Sequence, residues 1–132
     1  MRIISFVVVG ALFVVGCNGS DLFTPDQSVI LGVSKIDAPT SIASGNPIPV
    51  ALTVVSGGCR SFDHIEVTRD LGSANMTAWG HDSSIGRKNV ACTADLVIQS
   101  HSVQLEPPFS SSFTIEVNQG RLAPLTAVVQ VQ

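Results

Sequence analysis

The sequence has little of what many binding and catalytic sites are made from. It contains no tyrosine, one tryptophan and three histidines in 132 residues, and lysine and arginine together number only seven. So few basic residues do not form the basic surface patch that binds nucleic acid or anionic lipid head groups, and we expect no nucleic-acid partner. The missing tyrosine and the single tryptophan also count against a face that stacks sugar rings.

Several catalytic and metal-binding motifs are missing as well. The sequence has no G-x-S-x-G elbow, no D-x-D-x-D-G calcium loop and no C-x-x-C or H-x-x-x-H spacing for zinc. No two carboxylates can be assigned to glycoside hydrolysis from their positions. We therefore predict that the protein is not an enzyme and has no cofactor. Metal handling by His64, His81 and His101 is kept as an alternative.

The N-terminus has the pattern of an export signal. Met1 and Arg2 precede an apolar run from Ile3 to Val15. As a helix this run would be about 20 Å long, against about 30 Å for the hydrocarbon core of a bilayer. It is short for a spanning helix but suits the apolar core of a signal peptide.

The run ends in Val14-Val15-Gly16-Cys17, which resembles the lipobox of bacterial lipoprotein precursors. The resemblance covers residues 1–17 and implies that lipid is attached to the Cys17 thiol and that residues 1–16 are removed. The acyl chains would then hold the protein on a membrane. Asn18 favours the outer over the inner membrane in a Gram-negative host. An ordinary secretory signal or an uncleaved anchor is the alternative.

The other two cysteines, Cys59 and Cys92, form an even pair in a chain that we expect to be exported. A disulfide is the first interpretation of such a pair. It would close a loop of about 34 residues and stabilise the domain by about 3–4 kcal/mol in the chain-entropy model. A zinc site that uses both thiols and some of the histidines is the alternative. With Cys17 acylated, no free thiol is left.

Beyond the signal, the chain divides into a tether and one domain. Residues 17–27 are polar and rich in turn formers, which predicts a lipidated cysteine followed by a flexible tether. From Ser28 onward apolar residues alternate with polar ones at period two, as in half-buried strands. Glycine and proline separate about seven such runs, and no helical stripe is present. Residues 28–132 therefore predict a single all-β domain, an antiparallel sandwich.

Two segments resemble small exported bacterial proteins with immunoglobulin-like domains. One is the Gly-Cys-x-x-Phe turn at 58–62, with the Cys-Thr-Ala strand start at 92–94. The other is 113–119, which is similar to the penultimate strand of immunoglobulin-like modules. The resemblance implies an immunoglobulin-like sandwich, with a disulfide between the Gly-Cys-x-x-Phe turn and the Cys-Thr-Ala strand start, and is silent on activity. Neither cysteine is central in an apolar run, so we expect the bridge at one pole of the sandwich.

Trp79, His81 and Asp82 are the residues that we expect to contact a partner. They combine an aromatic face with polar groups, which is typical of recognition surfaces. An ordinary loop with a half-buried tryptophan is the alternative, and His64 is expected at the surface beside Glu66. We predict a non-enzymatic, lipid-anchored cell-envelope protein with a structural or partner-binding role. The alternatives are a periplasmic inhibitor of a hydrolase, such as lysozyme or a protease, and a metal-handling lipoprotein.

Overall fold

A computed structural model describes residues 26–132, which form nine strands in two sheets. The strands are β1 (Gln27–Ile30), β2 (Gly32–Asp37), β3 (Ser41–Ile42), β4 (Ile48–Ser56), β5 (Arg60–Arg69), β6 (Ser73–Asp82), β7 (Val97–Leu105), β8 (Ser112–Asn118) and β9 (Leu125–Val131). Within this part of the chain there is no helix, and hence none that could cross a bilayer. The predicted signal peptide, Cys17 and nearly all of the predicted tether lie outside the described residues.

The two sheets differ in how their strands pair. The smaller sheet has the order β2-β4-β7 and is antiparallel throughout. In the larger sheet, β5 pairs along one edge of β6, while β8 and β1 lie end to end along the other. β9 and then β3 follow β8. The pairs β6–β8 and β3–β9 are parallel. The chain crosses from β6 to the smaller sheet as β7 and returns as β8, so β8 runs in the same direction as β6.

The all-β class and the sandwich-like architecture are confirmed, with differences in the count and pairing of strands. Nine strands replace the expected seven because the first run splits at Leu31, so that β1 joins the larger sheet and β2 the smaller one. The very short β3 adds another. The segment 91–105 contains a single strand, β7. The two parallel pairs make the larger sheet mixed rather than purely antiparallel.

The core lies between the two sheets and is apolar. Along β4 every second residue is buried, which is the pattern expected of a strand with one face on a core. β6 follows the same alternation, with the small residues Ala74, Ala78 and Gly80 and the larger Met76 on its buried face. An added Cβ at Gly80 would lie 2.7 Å from Leu31 Cδ1, so the absence of a side chain lets Leu31 pack there. The buried apolar residues with no exposure at all are Ile48, Leu52, Ala74, Met76, Ala78, Phe113, Ile115, Val117 and Val129.

The predicted disulfide between Cys59 and Cys92 is confirmed, with the Cα atoms 5.0 Å apart. It joins the β4–β5 turn to the β6–β7 loop, and both of these connections pass from one sheet to the other. Gly57, at φ 109°, brings the turn so close to the loop that an added Cβ would lie 2.5 Å from the Asp95 carbonyl oxygen. The bridge therefore fastens the two sheets together at one pole of the sandwich.

Candidate functional site

A β-bulge in β5 creates the centre of the candidate site. Phe62 and Ile65 are apolar residues whose side chains pack toward the core, yet they lie three positions apart, which a regular strand does not allow. Phe62 and His64 pair with adjacent residues of β6, which leaves Asp63 as the extra residue. Asp63 and His64 are both exposed as a result. Bulges commonly re-aim side chains in this way next to functional sites.

Trp79 lies on the outer face of the larger sheet and not in the core. Its neighbours along β6, Ala78 and Gly80, are buried, so Trp79 and His81 face the other way and are half-buried. The indole Nε1–H of Trp79 donates to Glu66 Oε2 at 2.6 Å. This hydrogen bond between adjacent strands fixes the orientation of the ring, because an indole has only one donor.

Two histidines share the carboxylate of Asp63. Its Oδ2 lies 2.8 Å from His64 Nδ1 and 3.5 Å from His81 Nε2. The hydrogen bond with His64, helped by the charge that each histidine carries when protonated, lowers the pKa of the Asp63 carboxyl below its usual value. Asp63 is therefore ionised at neutral pH.

We call Asp63, His64, Glu66, Trp79 and His81 the β5–β6 cluster. With Ser28 of β1, four of these residues line a shallow hollow of about 270 Å³ on the outer face of the larger sheet. The hollow has one aromatic wall and two carboxylates at its edge. All of the cluster residues lie on paired strands, so the arrangement is held by the sheet itself.

Asp82 was predicted to belong to this surface, but the structure places it elsewhere. Alternation along β6 turns it away from Trp79 and His81, and its side chain is only 7% exposed. It accepts hydrogen bonds from the Ser84 hydroxyl, from Ser84 N at 2.9 Å and from Arg60 Nε at 3.0 Å. These donors lower the pKa of Asp82 to about 2. Asp82 is thus a residue that holds the turn after β6 and not a contact residue.

The three histidines are not gathered at one place. His101 lies on β7 and stacks on Phe62, with ring centroids 3.7 Å apart, while its Nε2 is buried without a hydrogen-bond partner. His64 and His81 meet only at Asp63, on the outer face. Across residues 26–132 no group of three or more potential ligands is arranged to hold a metal ion. The geometry of these residues therefore gives the metal-handling alternative no support.

A larger hollow of about 720 Å³ lies beside β1 and the β8–β9 turn. Arg60 and Arg121 are among its lining residues, with apolar side chains around them. Arg60 is already paired with Asp82, and Leu122 at the rim is 66% exposed. The β5–β6 cluster is the stronger candidate because its ionisable and aromatic groups contact one another.

The molecule thus belongs to the all-β sandwich class and carries an aromatic and ionisable cluster on the outer face of its larger sheet. Comparisons with family models, with curated proteins and with solved structures found no match. The resemblance to small exported immunoglobulin-like proteins therefore stays a prediction.

Proposed function

We propose that the protein is a lipid-anchored, non-enzymatic binding protein of the bacterial cell envelope that contacts a protein partner through the β5–β6 cluster. The observation that carries this proposal is the position of Trp79. An indole on the outer face of a sheet contributes nothing to the core, whereas tryptophan is among the residues that contribute most to protein interfaces.

The chemistry of the cluster favours a basic side chain on the partner. Asp63 and Glu66 place two carboxylates beside the indole of Trp79. A guanidinium or ammonium group can stack on an indole and form ion pairs with carboxylates at the same time. The cluster is also held by hydrogen bonds before any partner arrives, which reduces the entropy lost on binding. We therefore propose an arginine or lysine side chain as the group that occupies the hollow.

The proposed anchor is lipid on Cys17. The described chain begins at Asp26, which accepts a hydrogen bond from Arg87 at 3.0 Å, and β1 follows at once. A flexible tether of about ten residues, as the composition between Cys17 and β1 predicts, would reach roughly 17 Å, enough to lift a domain off the head groups. The cluster would then be presented to partners close to the membrane surface.

Site-specific photo-crosslinking of the full-length chain in its own cell envelope tests this proposal. A photoreactive phenylalanine would replace His64 or His81 in turn, and Thr126 would serve as the matched control. Thr126 is exposed on β9 of the same sheet, away from the cluster.

We expect the same protein adduct from positions 64 and 81 and none from 126. Adding Trp79→Ala to either cluster variant should lower its yield at least about tenfold, as for an interface hot spot. Circular dichroism would check that each variant is folded. An equal yield from position 126, no adduct from positions 64 and 81, or a yield unchanged by Trp79→Ala would contradict the proposal.

A further inference from the structure

The edge strands of the two sheets differ in how well they are protected from pairing with another chain. An edge strand exposes unpaired backbone groups, and proteins usually prevent another chain from pairing with it by a charged side chain, a bulge or a very short strand. β5 has a bulge at Asp63 and four charged side chains along its length. β2 has a register shift after Val33 and carries Lys35 and Asp37. β1 and β3 have only four and two residues.

β7 has none of these protections. Its nine residues, Val97–Leu105, include no lysine, arginine, aspartate, glutamate or proline. It pairs with β4 residue by residue along its whole length without a bulge. On its other side it pairs with no strand within residues 26–132. Because alternate residues of an antiparallel strand direct their N–H and C=O groups to each side, a row of backbone donors and acceptors faces solvent there.

We propose that β7 is a dimerisation edge, to which β7 of a second copy of this chain adds antiparallel. The two smaller sheets would then form one continuous six-stranded sheet across a two-fold axis. Such pairing satisfies the exposed backbone groups of both copies in one step, as in strand addition to a sheet edge.

A second copy is favoured as the occupant because β7 can pair with itself in an antiparallel register centred on His101 without setting any aspartate, glutamate, lysine or arginine opposite another. In this register His101 faces His101 of the second copy, and both glutamines face apolar residues. An axis at His101 places Ser100 opposite Ser102 of the second copy. The same register places Val97 opposite Leu105 of the second copy, so apolar residues meet at both ends. No charged side chain faces one of like sign at any position, which an edge such as β5 would not achieve.

The dimerisation edge and the β5–β6 cluster belong to different sheets. The cluster lies on the outer face of the larger sheet, whereas β7 is an edge of the smaller one. A partner and a second copy can therefore be bound at the same time, and either can fail without the other. A single pair of strands is a modest interface, so confinement of both copies to one membrane would strengthen it through effective concentration.

Sedimentation equilibrium of the full-length chain in mild detergent, from about 1 μM to 1 mM, would measure the association. The disrupting variant is Ser100→Lys/Ser102→Lys, which sets lysines opposite each other twice across the axis. The compensating variant is Ser100→Glu/Ser102→Lys, which sets opposite charges at the same two places. The matched control is Ser61→Lys/Thr68→Lys, which adds the same charge to exposed positions of the β5 edge.

We expect a monomer–dimer equilibrium for the wild type, with a dissociation constant raised about tenfold or more in the disrupting variant. The compensating variant and the β5 control should dimerise as the wild type does. Hydrogen exchange should show amides of β7 that become protected as concentration rises. The proposal is overturned if the wild type is a monomer at every concentration, or if the disrupting variant dimerises as tightly as the wild type. It is also overturned if the β5 control raises the dissociation constant as much as the disrupting variant does.

Discussion

Asp63 shows how much a single extra residue changes a strand. If the same residues formed a regular strand without the bulge, Phe62 and Ile65 would face opposite sides of the sheet, and one of them would leave the core. The bulge keeps both apolar residues inside and places Asp63 within reach of two histidines. The F-x-x-I spacing, a break in the period-two pattern, is the signal from which the bulge could have been predicted.

The residues of the site were only partly accessible from the sequence. Trp79 and His81 were predicted to lie together, and they do lie on one face. Asp82 does not share that face, because alternation in a strand places neighbouring residues on opposite faces. The period-two pattern of the sequence already contains this information. Glu66 as a partner of Trp79 depends on the register between β5 and β6, and register cannot be read from one strand alone.

The lowered pKa of Asp82 predicts how the stability of the fold depends on pH. This pKa is about 2 in the folded protein, below the ordinary aspartate value of 3.8. A carboxyl whose folded pKa is lowered stabilises the fold above the unfolded pKa, and this contribution is lost as pH falls from about 4 to about 2. Asp82→Asn should therefore lower the melting temperature at pH 6 and flatten the decline of melting temperature between pH 4 and 2.

Thermal unfolding of both proteins across pH 6 to 2 measures this. Asp37→Asn is the control, since the Asp37 side chain is 52% exposed and forms its ion pair with Lys35, which is exposed as well. The melting temperature of Asp37→Asn should differ little from that of the wild type at each pH, because surface ion pairs contribute little to stability. If the melting temperatures of Asp82→Asn and the wild type fall equally from pH 6 to pH 2, ionisation of Asp82 does not contribute to the stability of the fold.

At the scale of elements, strands with large apolar residues were the easiest to predict. β4, β8 and β9 show clear alternation of valine, isoleucine and leucine. The sequence of β6 has only a weak strand pattern, yet β6 pairs with β5, β8 and β1. Its inward residues are mostly small, and a window of alanine and glycine gives little hydrophobic signal even when every one is buried. The pairing order itself is a long-range property that no local pattern contains.

The disulfide gives a prediction at this scale. It connects two crossings between the sheets, so its removal frees the β6–β7 loop as well as the β4–β5 turn. Cys59→Ser/Cys92→Ser should lower the free energy of unfolding by about 3–4 kcal/mol, as expected for a closed loop of this length. Urea unfolding measures the loss, and limited proteolysis should cut within residues 83–96 first.

Reduction by dithiothreitol provides the internal control for that prediction. The reduced wild type should unfold at the urea concentration of the double variant, while the double variant should not respond to reductant. Equal unfolding midpoints for oxidised and reduced wild type would mean that the bridge does not stabilise this fold.

The proposed anchor is a property of the whole molecule. If Cys17 is acylated, labelled palmitate should enter the full-length protein made in a bacterial host, and Cys17→Ala should abolish the label. Equal labelling of both proteins would contradict the proposed lipid anchor and leave the β5–β6 cluster to be tested by crosslinking.

The hydrolase-inhibitor alternative stays a prediction.

The position of β1 has a mechanical consequence. β1 pairs with β6, and β6 pairs with β5, so the strand that would continue the predicted tether is two strands away from Asp63. A pull between the proposed anchor and a partner held on β5 would therefore have to cross the β1–β6 pairing, which is only four residue pairs long.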